Sequence, residues 1–441
     1  MLCRPIVSAR VVSVALCLLF AVGCAQLPPP HGAAPDAGAA VTYDYPFDNP
    51  WAATVLGTPQ ALQADLPAVE IERRDLMVFE DREVPEGFWY NDRLHYSTLL
   101  HDHEAPLVFV IAGTGANDQS RHMRTLGQIL YRAGMHVVLL PSPTHANFIV
   151  NASATRLPGY PATDAADLHN VMRLIDGRLR RSVGISQYYL TGYSLGAWHA
   201  AYVAKLDDEL AGFGFERVLL INPPLSLHRS VREIDAMLVR GLPNGIDGLD
   251  AFLDQAIARL ASQGGTDALD FQDPDFTVEA YRRLRPSDNR LATAIGLSFR
   301  LSAANLIFTS DVMTNAGYIF PRNRPFLSST PLSDYLAVAL RTSLLDYFRD
   351  MFSDTYLRWE PGSARQDLLA RTSLSNIGEW LSRDDRIWLM TNRDDVILAP
   401  GDLDELLRLF GPRTHVFPSG GHMGNLQHRA VTAFIADFFS R

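Results

Sequence analysis

Ser194, Asp395 and His422 are the residues whose types and surroundings would carry chemistry. Ser194 stands in Gly192-Tyr193-Ser194-Leu195-Gly196, a G-x-S-x-G turn. Before it runs a β-rich apolar stretch from Ile185, and after it an Ala-rich segment reaches about Leu206. A serine hydroxyl is a poor nucleophile and must stand clear of the backbone to meet a base and a carbonyl. A sharp strand-to-helix turn provides that exposure, and flanking glycines let strand and helix approach closely. The helix N-terminus also aims free N–H groups at any oxyanion formed there.

Such a serine needs a base, and the base needs a carboxylate to fix its tautomer. His422 lies in Ser419-Gly420-Gly421-His422-Met423-Gly424-Asn425, just after the last strand-like run, Thr414 to Phe417. Asp395 follows the run Arg386 to Thr391, within Asn392-Arg393-Asp394-Asp395-Val396-Ile397-Leu398-Ala399-Pro400. Asp394 is the rival acid and His415 the rival base, although His415 falls inside a strand-like run. His101-Asp102-His103-Glu104 has the composition of a metal cluster but lacks a third, separated ligand, so no metal site is expected.

Stepping outward, buried-strand runs at Leu107 to Ile111, His136 to Leu140 and Arg217 to Ile221 alternate with helical segments at about 121–133 and 164–180. That alternation predicts a doubly wound, mostly parallel α/β sheet. Asp75 to Glu80, Gly87 to Tyr90 and Leu94 to Leu100 read as an N-terminal antiparallel hairpin. From Leu225 to about Arg383 amphipathic helical runs take over, among them 234–240, 249–260, 278–284 and 332–349, with frequent aromatics such as Phe271, Phe299 and Phe352.

Composition narrows the class. A 47% hydrophobic and 20% charged chain of 441 residues is globular. The formal net charge of −10 with no basic tract argues against nucleic-acid binding. All three cysteines, Cys3, Cys17 and Cys24, precede the body, which excludes disulfides and cysteine nucleophiles there.

Arg4 and Arg10 precede an apolar run, Val11 to Val22, too short to span a membrane but right for a signal-peptide core. Phe20-Ala21-Val22-Gly23-Cys24 resembles a bacterial lipoprotein box, which implies lipidation of Cys24 and a membrane anchor. Ala25 at the next position resembles an outer-membrane address. Ordinary secretion with cleavage near Ala25 is the alternative. Residues 24–42, rich in Pro, Ala and Gly, read as a flexible tether.

The order Ser194, Asp395, His422 resembles the α/β-hydrolase superfamily over roughly residues 75–222 and 385–441. The resemblance implies an oxyanion hole of backbone N–H groups from Leu195 and Thr114, with Gly115 as second candidate. It implies a helical cap where the insertion falls. The expected organisation is a signal peptide (1–23), a tether (24–42), a core in two parts (43–222 and 385–441) and the cap (223–384). No cofactor is implied. The expected activity is hydrolysis of a carboxylic ester of a moderately apolar substrate, with thioester or amide cleavage as the alternative. A non-catalytic envelope binding lipoprotein on the same fold is the alternative from another class.

Overall fold

Apolar strands hydrophobic on both faces can be buried only in the middle of a layered sheet, and that is where this chain puts them. The computed structural model describes residues 42–441 apart from 67, 253, 255–273, 360 and 361. The signal peptide, Cys24 and nearly all of the tether therefore lie outside the described residues. So do Phe271 and part of the expected helix 249–260.

The first helix among the described residues is α1 (Pro50–Leu56), capped by Asn49. Strand β1 (Glu72–Leu76) pairs antiparallel with β2 (Leu94–Leu99). Then follow β3 (Ala105–Ile111), α2 (Arg121–Arg132), β4 (His136–Leu140), α3 (Ala146–Asn151) and α4 (Pro161–Leu179). The elbow strand β5 (Ile185–Tyr193) leads into α5 (Leu195–Leu210), and β6 (Arg217–Ile221) ends the first half. The sheet order is β1-β2-β4-β3-β5-β6-β7-β8, with β3 to β8 all parallel.

The expected strand at Gly87 to Tyr90 is not one. Glu86–Asn91 is a 3-10 turn after Pro85, and the Phe326 ring occupies the space where a side chain at Gly87 would lie. Packing against the insertion overrides the local β preference of Phe88 and Tyr90.

Between β6 and β7 (Ile387–Asn392) the described residues form helices and turns. Helices α6 (Leu227–Gly241), α7 (Pro274–Leu284), α8 (Asp288–Thr314) and α9 (Ser333–Arg341) are followed by short helices and turns as far as Arg383. The single expected helix over 332–349 is split: α9 stops at Arg341, and a π-helical turn occupies Tyr347–Ser353. The long helix α8 has no clear apolar face in the sequence because it is packed on several sides, against α6, α9, α1 and α3. By length and composition it could cross a membrane, yet 67% of its most apolar window is buried in the protein. Trp198 and Tyr202, one turn apart on α5, anchor the return of the insertion: Trp198 Nε1 donates to Thr372 O (3.2 Å), and the Tyr202 hydroxyl lies 2.9 and 2.7 Å from the carbonyls of Arg371 and Ser373. The chain closes with α10 (Asp402–Phe410), β8 (Thr414–Phe417) and α11 (Arg429–Ser440).

Candidate active site

Ser194 sits between β5 and α5 with φ 54° and ψ −126°, a conformation that costs a non-glycine residue energy and persists only when its surroundings fix it. Two contacts fix it here. Its N–H donates to Ile221 O on the neighbouring strand (2.8 Å). A Cβ on Gly192 would collide with the Gly196 carbonyl, and one on Gly196 with the carbonyls of Ile111 and Ala112 at the end of β3. The elbow therefore follows from two glycines that permit a crossing no larger residue allows.

His422 Nε2 lies 2.9 Å from Ser194 Oγ, and His422 Nδ1 lies 3.0 Å from each oxygen of Asp395. The Asp395 carboxylate accepts two further hydrogen bonds, from Asn222 Nδ2 (2.7 Å) and Ile397 N (3.1 Å). With Nδ1–H donated to the carboxylate, Nε2 is left to accept a proton from the serine. Asp394 faces elsewhere: it accepts from Gly420 N (3.2 Å) and Gly421 N (2.9 Å), and burial holds its carboxyl above the usual range against those two amides. It caps the histidine loop. His415 stacks on Phe434, ring centroids 4.1 Å apart, and makes no contact with Ser194. His101 stacks on Tyr131 at 4.0 Å.

The N–H groups of Leu195 and Thr114 take no hydrogen-bond acceptor among the described residues. Gly115 does not share this freedom, because its N–H donates to Thr144 Oγ1 (2.8 Å). Thr144 is in turn held by Ser142 Oγ (2.8 Å), and Ser142 N donates to Ala116 O (3.0 Å). The β4 end loop thus braces the glycine loop and leaves Thr114 as the open donor. Gly113 brings the loop against the elbow: a Cβ there would stand 2.7 Å from the Tyr193 ring and 3.2 Å from Ser194 Cβ.

Sequence reasoning missed Asn222, Thr54, Thr144 and His122. His122 packs edge-on against Tyr193 (5.2 Å), and burial, with the nearby Arg121 and His422 charges, pushes its imidazole down to about 3, so it stays neutral. Of the four, only Asn222 carries a signal in the sequence, a polar residue closing a buried strand.

The site is closed. Ser194, Asp395 and His422 are 5%, 7% and 8% exposed. Two surface cavities, of about 390 and 490 Å³, are lined by none of them. Helix α8 packs beside them: Ser302 stands over Gly115, while Ile295 and Phe299, on the same face, pack with Val396 next to Asp395.

The fold is that of the α/β-hydrolases, with a helical insertion. No protein-family model and no curated protein sequence matches the chain. Among solved structures, a thermostable esterase from Pseudomonas putida is 13% identical, with a TM-score of 0.42 over 86% of this chain and 83% of that one. An esterase from the archaeon Pyrobaculum calidifontis is also 13% identical (TM-score 0.39; 88% and 89%). The thioesterase domain of the curacin biosynthetic pathway is 15% identical (TM-score 0.37; 84% and 99%). Likeness at this level says nothing about what this chain acts on.

Proposed function

We propose that the protein is a serine hydrolase that cleaves a carboxylic ester through an acyl-enzyme. The observation that carries the reading is the unbroken chain from Ser194 Oγ through the His422 ring to Asp395, with two unpaired amides beside it. Ser194 Oγ attacks the ester carbonyl carbon as its proton passes to His422 Nε2, and the carbonyl oxygen becomes an oxyanion received by the N–H groups of Leu195 and Thr114. Collapse of that intermediate breaks the C–O bond, and the alkoxide leaves with the proton from His422. Water then gives a proton to His422 and attacks the acyl carbon, releasing the acid and restoring Ser194. Asp395 orients the ring throughout.

The acyl group is moderately apolar. Met237, Ile295, Phe299 and Val396 gather beside the acid loop and offer it no charge.

The chain acts in the cell envelope as a lipoprotein anchored through Cys24, on the periplasmic face of the outer membrane. The apolar run Val11 to Val22 and the lipoprotein-like box ending in Cys24 support this. Mass measurement of the mature N-terminus in untreated cells, with globomycin-treated cells alongside, tests it: a lipid-modified Cys24 that gives way to uncleaved precursor under globomycin is expected, and an unmodified N-terminus in untreated cells would exclude the anchor.

The activity is tested with a fluorophosphonate probe, the adduct located by peptide mass spectrometry, and a panel of p-nitrophenyl esters. Labelling at Ser194, lost in Ser194→Ala and His422→Ala, is expected, with hydrolysis of medium-chain esters. A folded protein that takes no label would instead favour a binding role.

A further inference from the structure

Residues 43–70, which mix aromatics with Pro, look in the sequence like an arm packed on the domain surface, yet the part from Tyr43 to Thr58 reaches the centre of the site. Thr54 Oγ1 accepts the backbone N–H of His422 (2.8 Å). The same hydroxyl donates its one proton to Pro50 O within α1 (2.7 Å), which turns a lone pair towards His422. Around this bond the arm brackets the whole histidine loop. The Tyr43 hydroxyl donates to Ser419 O and accepts from Asn425 Nδ2 (2.9 Å), and Thr58 Oγ1 donates to Gly424 O (3.0 Å). Gly421 and Gly424 let α1 lie backbone against backbone on the loop, since a Cβ on either would strike the carbonyls of Pro50 or Ala53.

The opposite face of α1 belongs to the cap. Trp51 and Val55 pack with Met237, Ile295, Phe299 and Val396, and Asn49 Nδ2 donates to Asp288 Oδ1 at the start of α8 (2.7 Å). One short helix therefore touches the base's own backbone on one side and the helical insertion on the other.

We infer that α1 is a positioning element of the active site, in which Thr54 sets the distance between His422 and Ser194 through the His422 backbone. The inference rests on the triad reading given above. Loss of the hydroxyl leaves the His422 amide buried without an acceptor and frees the loop to drift, and misplacement by about 1 Å can cost roughly a hundredfold in rate.

The test compares wild type, Thr54→Val and Thr54→Ser for the second-order rate of fluorophosphonate labelling at Ser194, for kcat and KM on one ester, and for thermal midpoint. Thr54→Val should lose roughly ten- to hundredfold in both labelling rate and kcat. Its KM should hold, and Thr54→Ser, which keeps the acceptor, should restore both rates. Should Thr54→Val fail to fold, Thr54→Ala removes the hydroxyl without a second branch against Gly421 and makes the same comparison. Wild-type rates in a folded Thr54→Val or Thr54→Ala, or a loss confined to KM or to thermal midpoint, would overturn the inference while leaving the triad reading intact. Absence of label on the wild type would instead remove the triad reading itself, and this inference with it.

Discussion

Asn222 donates its side-chain amide to Asp395 Oδ2 at 2.7 Å while its own backbone sits at φ 48°. The two facts belong together. Asn222 closes β6, its N–H donating to Met390 O (2.8 Å), and only the left-handed turn that follows brings the amide to the carboxylate. Asparagine tolerates that conformation better than most residues. Substituting Asn222 by Gly keeps the backbone turn and removes the amide; substituting it by Ala removes the amide and adds strain. Both should lose roughly ten- to hundredfold in kcat, the worth of one hydrogen bond to a charged group, while Ala also lowers the urea midpoint below that of Gly. Equal kcat for wild type and Asn222→Gly would show that Asp395 needs no such support.

Gly113 gives a sharper separation of rate from stability. A methyl group there would press on the Tyr193 ring and the Ser194 Cβ. It would move the glycine loop, and with it the Thr114 N–H, away from the elbow. Gly113→Ala should therefore lose about a hundredfold or more in kcat, on the scale of one lost oxyanion donor. Thr114→Ala, which leaves the backbone donor in place, should stay within a few-fold of wild type. If Thr114→Ala were the more damaging of the two, its side chain and not its amide would be the working group.

The parallel core was legible because its strands are short, β-branched apolar runs, such as Val108 to Ile111, separated by helical periods. Ser194, His422 and Asp395 were legible because each sits at a strand end in a glycine-rich or acidic turn. Their partners were not. Thr54 and His422 are 368 residues apart, and nothing about a threonine in a Pro-led segment announces which backbone amide it will meet. Helix α8 escaped notice for the opposite reason. Buried on several sides, it lost the amphipathic pattern by which a surface helix is recognised. The stretch Gly87 to Tyr90 has local neighbours that favour strand, and only the distant Phe326 forbids it.

Phe299 tests the proposed acyl site. It packs beside Val396 with Ile295 and Met237, so cutting it to Ala opens apolar volume next to the acid loop. Phe299→Ala should shift kcat/KM towards longer or branched acyl chains, by roughly tenfold in the ratio of long to short esters. An unchanged chain-length profile, measured across the same p-nitrophenyl series, would place the acyl group elsewhere.

Asp167 provides a prediction about stability that does not depend on activity. Its carboxyl is buried on α4, where it accepts from Ala154 N (2.9 Å) and lies near Asp164. Burial first, then the Asp164 charge, pushes it up to about 7 from an ordinary 3.8, against the opposing pull of the Ala154 amide and of Arg82. The folded protein thus keeps a proton that the unfolded chain gives up. Below pH 3.8 both states hold it, and the protonated carboxyl makes its full contribution. As pH rises towards 7 the unfolded state releases the proton while the folded state retains it, so stability falls steadily; above 7 the loss is complete. Asparagine keeps the acceptor for Ala154 N and carries no proton to lose. Asp167→Asn should therefore unfold at nearly the wild-type urea concentration at about pH 4, and should be the more stable by about 1–3 kcal/mol at about pH 8. Other titrating groups are common to both proteins and cancel in the difference. A gap that stayed constant between those two pH values would mean that Asp167 titrates alike in the folded and unfolded chain, and that Arg82 offsets its burial in full.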